Sequence, residues 1–214
     1  MHPVAYSAQY EGEGRNRLTV FFRLLVAIPW LLFASLWGIA VFFAVIVAWF
    51  ALVFTGRYPQ SLYDFNASFL RFINRVNGFT WLMTDEWPSF AGEEEYDYPV
   101  RVLIPGPKDE YSRAKVLFRI ILFIPVYILL FVMNVILEVV GIVAWFVIVF
   151  TGSFPDGLYK PMRAAAAFSV KASAYGLLLT EDFPPFWMDE PEEAPRFESG
   201  KAVPEVMPPP APAG

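Results

Sequence analysis

The sequence contains no cysteine and only one histidine, His2. The absence of cysteine excludes disulfides, thiolate metal sites, cysteine nucleophiles and palmitoylation. A single histidine near the start of the chain leaves ordinary zinc sites and histidine-based nucleophilic catalysis without the residues they need. The sequence also has no phosphate-binding loop and no G-x-S-x-G or G-x-G-x-x-G motif. We therefore expect no catalytic residues, no cofactor and no metal centre, and we do not expect an enzyme.

Charged residues are also scarce. They make up 17% of the chain and apolar residues 57%, against roughly 25% and 45–50% in soluble domains. The net charge of −5 is concentrated in two acidic segments, residues 91–98 and 187–214, so the rest of the chain is mildly basic. This distribution favours anionic lipid headgroups as partners and argues against nucleic acid.

What the chain has in abundance is an internal repeat. Shifted by 96 residues, the sequence aligns with itself without a gap, so that Arg17 aligns with Arg113. The longest identical stretch is Ile46–Phe50 with Ile142–Phe146. We divide the chain into a first repeat (3–90), an acidic linker (91–98), a second repeat (99–186) and a Pro-rich acidic tail (187–214) that we expect to be disordered.

Each repeat contains one long apolar run, at residues 18–54 and 116–150. A single helix over 37 residues would be about 55 Å long, against a hydrocarbon core of about 30 Å. One interpretation is a helical hairpin with two short membrane spans. The other is an interfacial helix up to Pro29 followed by one span.

We favour the hairpin for two reasons. Gly38 aligns with Asn134 in mid-run, and both residue types readily adopt the left-handed conformation that ends a helix. Hairpins also place all flanking Lys and Arg residues on one side, which is the positive-inside pattern of a multi-pass inner-membrane protein. Both termini would then be cytoplasmic.

Shorter elements flank each hairpin. Residues 3–10 and 99–104 are rich in β-forming residues, which predicts a short strand at the start of each repeat, and the two strands could pair with each other. After each hairpin, residues 60–83 and 157–179 are predicted to form an amphipathic helix that lies on the membrane surface. The predicted fold is therefore an all-α membrane protein with a tandem repeat of hairpin, surface helix and short strand.

Several motifs recur in both repeats: R-x5-P inside the apolar run, then W-F-x3-F-T-G-x-[YF]-P, then L-Y, then T-[DE]-[DE]-[WF]-P-x-F. This pattern resembles the bacterial membrane family known as domain of unknown function 4389 (DUF4389). The resemblance covers both copies. It implies a membrane location and supplies no established activity. The second surface helix, with Lys160-Pro161 and Ala164–Ala167, departs from the arginine-bearing pattern of the first.

Two groups of charged residues are candidate sites. Candidate contacts to lipid headgroups or to acid pairs are Arg23, Arg119, Arg71 and Arg75, because an arginine inside an apolar run needs a partner or the membrane interface. Equivalent carboxylates at Asp85, Glu86, Glu181 and Asp182 are a candidate cation or salt-bridge site between the repeats. The simpler interpretation, which we favour for these acids, is a turn that balances nearby arginines.

Glu138 is an acid of the second apolar run only. At mid-bilayer it would be a proton or ion site, whereas in a hairpin it would lie near the far surface, which we favour.

We expect a non-enzymatic bacterial inner-membrane protein that organises lipid or a membrane complex. The first alternative is an accessory subunit that docks a protein partner through the Pro-rich tail. The second alternative is a small transporter or channel, which would need a homo-oligomer because four short spans cannot enclose a pore.

Overall fold

The computed structural model describes residues 2–95 and 97–185, so the predicted tail lies outside the described residues. Each repeat contributes one strand and three helices. In the first repeat these are β1 (Ala5–Ala8), α1 (Arg17–Phe21), α2 (Arg23–Thr55) and α3 (Gln60–Thr80). In the second they are β2 (Val100–Leu103), α4 (Arg113–Leu117), α5 (Arg119–Thr151) and α6 (Asp156–Gly176). The fold is mostly helical, as predicted.

The predicted hairpins are wrong. The runs at 18–54 and 116–150 each form one short helix and one continuous helix of 33 residues, α2 and α5. Gly38 and Asn134 lie inside these helices, and the Asn134 side-chain amide donates to the Leu130 carbonyl at 2.8 Å. That bond satisfies the amide within the helix, so Asn134 does not need to end it.

The alternative break at Pro29 is also absent, because α2 continues through this proline. A proline in a helix removes only one backbone donor and bends the axis. The break lies earlier, at Phe22 between α1 and α2 and at Phe118 between α4 and α5. Both long helices end where predicted, at Gly56 and Gly152, which adopt φ of 73° and 75°. Glycine suits this left-handed position because it has no Cβ.

The predicted strands pair across the repeats. β1 and β2 form a two-stranded antiparallel sheet in which Tyr6 lies opposite Val102. The sheet packs on α3 through β2 and on α6 through β1. The prediction that equivalent strands pair is therefore confirmed.

The predicted amphipathic helices exist, but they do not stand apart as surface helices. α3 packs along α2, α6 packs along α5, and α3 and α6 contact each other. Most of α6 is buried, including the run Ala165–Ala172. The alanines of this run make the close packing of α6 possible because their side chains are small. α3 and α6 thus form a central layer between the long helices and the sheet.

Candidate functional site

Arg23 is the first residue of α2, and its side chain is almost fully buried, with the residue 1% exposed. Its Nη1 donates to the carbonyl oxygens of Phe79 at 2.7 Å and Thr84 at 2.8 Å. Its Nη2 pairs with the Asp85 carboxylate, and the guanidinium lies 4.4 Å from the centre of the Phe79 ring. These contacts tie the start of α2 to the end of α3.

Arg15 binds the same carboxylate. Its Nη2 lies 3.0 Å from Asp85, its Nη1 lies 3.1 Å from Glu11, and it donates to the Leu82 carbonyl at 2.6 Å. Burial lowers the pKa of Arg15, while Asp85 and Glu11 oppose that shift. We call Glu11, Arg15, Arg23 and Asp85 the first arginine cluster. It is a closed set of ion pairs that also reaches the backbone at the end of α3.

The equivalent place in the second repeat is built differently, because Tyr111 replaces Arg15. Arg119 donates to the Thr180 carbonyl at 2.9 Å and lies 3.7 Å from the centre of the Tyr175 ring. Among the described residues, its buried Nη1 and Nε have no hydrogen-bond partner and no carboxylate lies within 4.0 Å. Arg119 is thus held by a carbonyl and an aromatic ring rather than by an ion pair.

The acids after α3 and α6 support the short helices of their own repeat. Asp85 accepts from the backbone N–H of Asn16 at 2.9 Å, and Glu181 accepts from that of Ser112 at 2.6 Å. Both donors precede a helix, where free N–H groups attract negative charge. Lys108 adds a cation 3.6 Å from Glu181.

The predicted cation or salt-bridge site between the repeats is therefore not formed. Asp85 pairs within the first repeat and Glu181 within the second. Asp182 lies 3.8 Å from Lys108, and Glu86 is exposed. Within residues 2–95 and 97–185, no group of three or more acidic or histidine side chains could hold a metal ion. Asp85 supports a helix start and pairs with two arginines, as the favoured interpretation expects, whereas Glu181 supports a helix start and pairs with Lys108.

Arg71 and Arg75 contact the acidic linker rather than the repeated acid pairs, and their predicted contact with lipid headgroups stays a prediction. Arg71 pairs with Glu94 at 2.9 Å. Arg75 donates to the carbonyl oxygens of Ala91 and Glu93 and lies 3.8 Å from Glu95. Burial lowers the pKa of Arg75, and Glu95 opposes that shift. The linker is thus fixed along α3.

Sequence reasoning missed a set of contacts that the repeats exchange. Arg17 donates to the Thr151 carbonyl at 2.8 Å, and its equivalent Arg113 donates to the Thr55 carbonyl at 3.4 Å. These carbonyls belong to the last turns of α5 and α2, where no backbone donor is available within the helix. The repeat of Arg17 at Arg113 was a visible signal, but it did not show that the partner lies in the other copy.

The outward surface of the long helices is apolar. Fourteen large apolar side chains of α2 and fourteen of α5 are exposed, among them Leu24 at 71% and Ile120 at 73%. Only 22% of the most apolar window of α2 and 11% of that of α5 is buried. Both helices are long and apolar enough to cross a membrane. A core helix of a soluble protein would be mostly buried, and these two helices are not.

A family model described as "Domain of unknown function (DUF4389)" matches residues 17–92 and 113–188. Neither the curated proteins nor the solved structures contain a match.

Proposed function

Since the chain belongs to the DUF4389 family, with two tandem copies of its domain, we propose that it is a non-enzymatic membrane protein that embeds in lipid and organises it. The site of action is the outward apolar surface of α2 and α5. We define this as the lipid-facing surface, meaning the side chains of both helices that point away from α3 and α6.

The exposure of this surface carries the proposal. Burying one large apolar side chain is worth roughly 1.5–3 kcal/mol. Twenty-eight such side chains are exposed on the two helices. Even with partial burial, contact with lipid would stabilise the protein by tens of kcal/mol, which exceeds the usual 5–15 kcal/mol stability of a folded domain. A surface with this energy in water would drive the protein into a membrane.

The charged residues support a structural role for the remainder of the molecule. Arg15 and Arg23 are buried and paired with Asp85, and Arg71 and Arg75 are bound to the linker. These side chains position helices and loops. We place the protein in the bacterial inner membrane with both termini on the cytoplasmic side, where Lys and Arg residues accumulate.

Reconstitution with liposomes tests the proposal. Purified full-length protein is added to preformed vesicles, which are then floated in a density gradient and imaged by electron cryomicroscopy. We expect the protein to float with the vesicles and to reduce their diameter as the ratio of protein to lipid rises. A matched pair of variants, Leu36→Lys and Leu36→Ala, separates lipid contact from folding, because Leu36 is 69% exposed. Unchanged vesicle size and shape at high loading would contradict the proposal.

A second candidate function rests on Glu138. This residue is exposed in the middle of α5, next to the exposed Val139, rather than near a hairpin turn as predicted. An acid within an apolar helix is expensive in lipid and is often part of an ion or proton path. A flux assay in proteoliposomes that compares wild type with Glu138→Gln tests transport. Equal flux in both, at the level of empty vesicles, would rule it out.

A further inference from the structure

The two repeats are related by a pseudo-twofold axis through the centre of the sheet. Residues 96 positions apart are equivalent, so Tyr6 is equivalent to Val102. These two residues lie directly opposite each other in the antiparallel pair. The axis therefore passes between them.

Reciprocal hydrogen bonds show how the long helices lie about this axis. The Trp49 indole donates to the Val116 carbonyl, and its equivalent Trp145 donates to the Val20 carbonyl, both at 3.0 Å. The backbone N–H of Arg15 binds the Gly152 carbonyl, and that of Tyr111 binds the Gly56 carbonyl. The start of each long helix thus lies beside the end of the other, and α2 and α5 run head to tail.

This arrangement fixes the direction of the helices relative to the axis. Residues 49 and 145 are equivalent, and a twofold rotation does not change the position of a residue along the axis. The two residues therefore lie at the same height, meaning the same position along the axis. Since the Trp145 indole reaches the Val20 carbonyl, residues 20 and 49 differ in height by no more than the length of a tryptophan side chain plus a hydrogen bond, whereas α2 extends about 39 Å from Arg23 to Trp49 at 1.5 Å per residue. Both long helices therefore lie close to perpendicular to the axis.

The lipid-facing surface and the sheet lie on opposite sides of the molecule. The buried residues of α2 form one stripe, including Ala27, Ala34, Val41, Ala48 and Leu52. This stripe packs against α3 and α4, and β2 packs on α3. The exposed apolar arc of each long helix therefore points away from the sheet, along the axis.

A crossing orientation conflicts with this geometry. If α2 and α5 crossed the bilayer, the axis would lie in the middle of the membrane and parallel to its plane. The sheet and the acidic linker would then lie at mid-bilayer depth, because Gly92 lies beside Trp37 in the middle of α2, and the linker residues Glu93 and Asp97 are exposed. Open sheet edges and charged loops do not occur in contact with hydrocarbon, because their polar groups have no partner there.

We propose that the protein is monotopic: α2 and α5 lie flat in one leaflet, and the sheet and the charged loops face the water on the same side. This inference rests on the proposed membrane function and names the surface that the protein recognises, the acyl chains of a single leaflet. An in-plane helix needs no match between its length and the bilayer thickness. The flanking arginines of both repeats then lie on one side of the membrane.

Single cysteines test the proposal directly, because the natural chain has none. Glu13→Cys and Ser61→Cys, both at exposed positions, mark the two ends of α2. In sealed vesicles with one orientation of the protein, we expect a membrane-impermeant maleimide to label both from the same side. Labelling from opposite sides would overturn the monotopic arrangement.

Depth measurements provide a second, independent readout. Ile28, Ile39 and Phe50 are 46%, 60% and 50% exposed and are spaced by about three helical turns, so they share one face of α2. Spin labels at these positions are compared by collision with oxygen and with a water-soluble nickel complex. A helix in one leaflet gives three similar depths, whereas a crossing helix makes residue 39 much deeper than the other two.

Flotation of the same samples separates this inference from the proposed function. Protein that floats with vesicles but shows opposite-side labelling keeps its membrane role and loses the monotopic arrangement. Protein that stays with the soluble fraction overturns both.

Discussion

At the residue scale, Arg23 shows how a charge is accommodated at the start of an apolar helix. Its side chain is buried against two carbonyl oxygens and the Asp85 carboxylate. Removing one partner from a buried pair leaves an uncompensated charge, which typically costs about 3–5 kcal/mol. Replacing both partners removes that penalty.

We expect Arg23→Met to lower the free energy of unfolding by about 3 kcal/mol or more, because two buried carbonyls lose their donor and Asp85 keeps only Arg15 as a partner. The double variant Arg23→Met/Asp85→Asn should recover part of this loss, although Arg15 then keeps only Glu11 as an ion-pair partner. Arg119→Met is the matched control in the second repeat, where no carboxylate pairs with the arginine among the described residues, and should cost less. Unfolding in detergent, followed by circular dichroism, measures all three. Equal losses for Arg23→Met and Arg119→Met would show that the ion pair contributes nothing.

His2 gives the protein a weak dependence on pH. Its ring nitrogens lie 3.2 Å from the Val4 carbonyl and 3.3 Å from the Asp182 carbonyl. Burial is the main cause that lowers its pKa below 6.5, and Lys171 lowers it further. Protonation is thus harder in the folded state than in the unfolded state. Stability is complete above the unfolded pKa of about 6.5 and is lost as the pH falls through the folded pKa.

We expect the thermal midpoint to fall between pH 7 and pH 5 by more in the wild type than in His2→Gln. Glutamine keeps a hydrogen-bonding side chain but does not titrate in this range. Differential scanning fluorimetry across this pH range provides the comparison. Parallel curves for the two proteins would show that His2 does not couple folding to pH.

At the element scale, the long helices show why a local preference can be overruled. Gly38 and Asn134 favour the left-handed conformation, which led to the hairpin prediction. A helix in an apolar environment keeps all its backbone hydrogen bonds within itself, whereas a turn would expose several polar groups. Flanking residues such as Leu36 and Ile39 contain no turn signal. The sequence showed correctly where each helix ends, at Thr55-Gly56 and Thr151-Gly152, because there the glycine is followed by proline three residues later.

Gly38→Ala distinguishes the continuous helix from the hairpin. In a helix interior, alanine is more stable than glycine by roughly 0.5–1 kcal/mol. The new Cβ would have only ordinary contact with Phe69, at 3.7 Å. We therefore expect this variant to be slightly more stable than the wild type in thermal unfolding. In a hairpin, the same change would strain a turn and destabilise the protein.

Gly56→Ala is the matched control for that substitution. Gly56 has φ of 73°, and a Cβ there would lie 3.3 Å from Nε of Arg113. We expect a loss of about 1–2 kcal/mol, the cost of the left-handed conformation for an L-residue. A gain in stability from Gly56→Ala would contradict the observed helix end.

At the scale of the whole molecule, the repeat and the pairing of its strands could be predicted from sequence, but the exchange between repeats could not. The sequence repeat identifies equivalent positions. It does not identify whether a residue contacts its own copy or the other one. The W-F…F-T-G motif is an example of a repeated motif whose contacts lie in the other copy. Trp49 and Gly56 bind Val116 and Tyr111, so the conspicuous residues of one copy form the interface with the other. The first arginine cluster was unpredictable for a different reason, because Glu11 and Arg15 have no charged equivalent in the second repeat.

Because each repeat packs against helices of the other, we expect the two repeats to fold as one unit. Expressing the repeats as separate fragments tests this expectation. α1 packs on α5 and α4 packs on α2, so an isolated repeat would expose the residues that these contacts cover. Four residues at these contacts are fully buried: Val20, Val116, Ala48 and Ile148.

We expect fragments cut between Tyr98 and Pro99 to be degraded or aggregated when expressed singly. When co-expressed in the same membrane, they should associate and co-purify, because every contact between the repeats except the connecting peptide is retained. The double variant Trp49→Phe/Trp145→Phe removes both indole hydrogen bonds and should weaken co-purification, whereas Trp87→Phe is a control because Trp87 is 55% exposed. A first fragment that is stable alone, with native helix content and no affinity for the second, would show that each repeat folds independently and that the exchanged contacts are secondary.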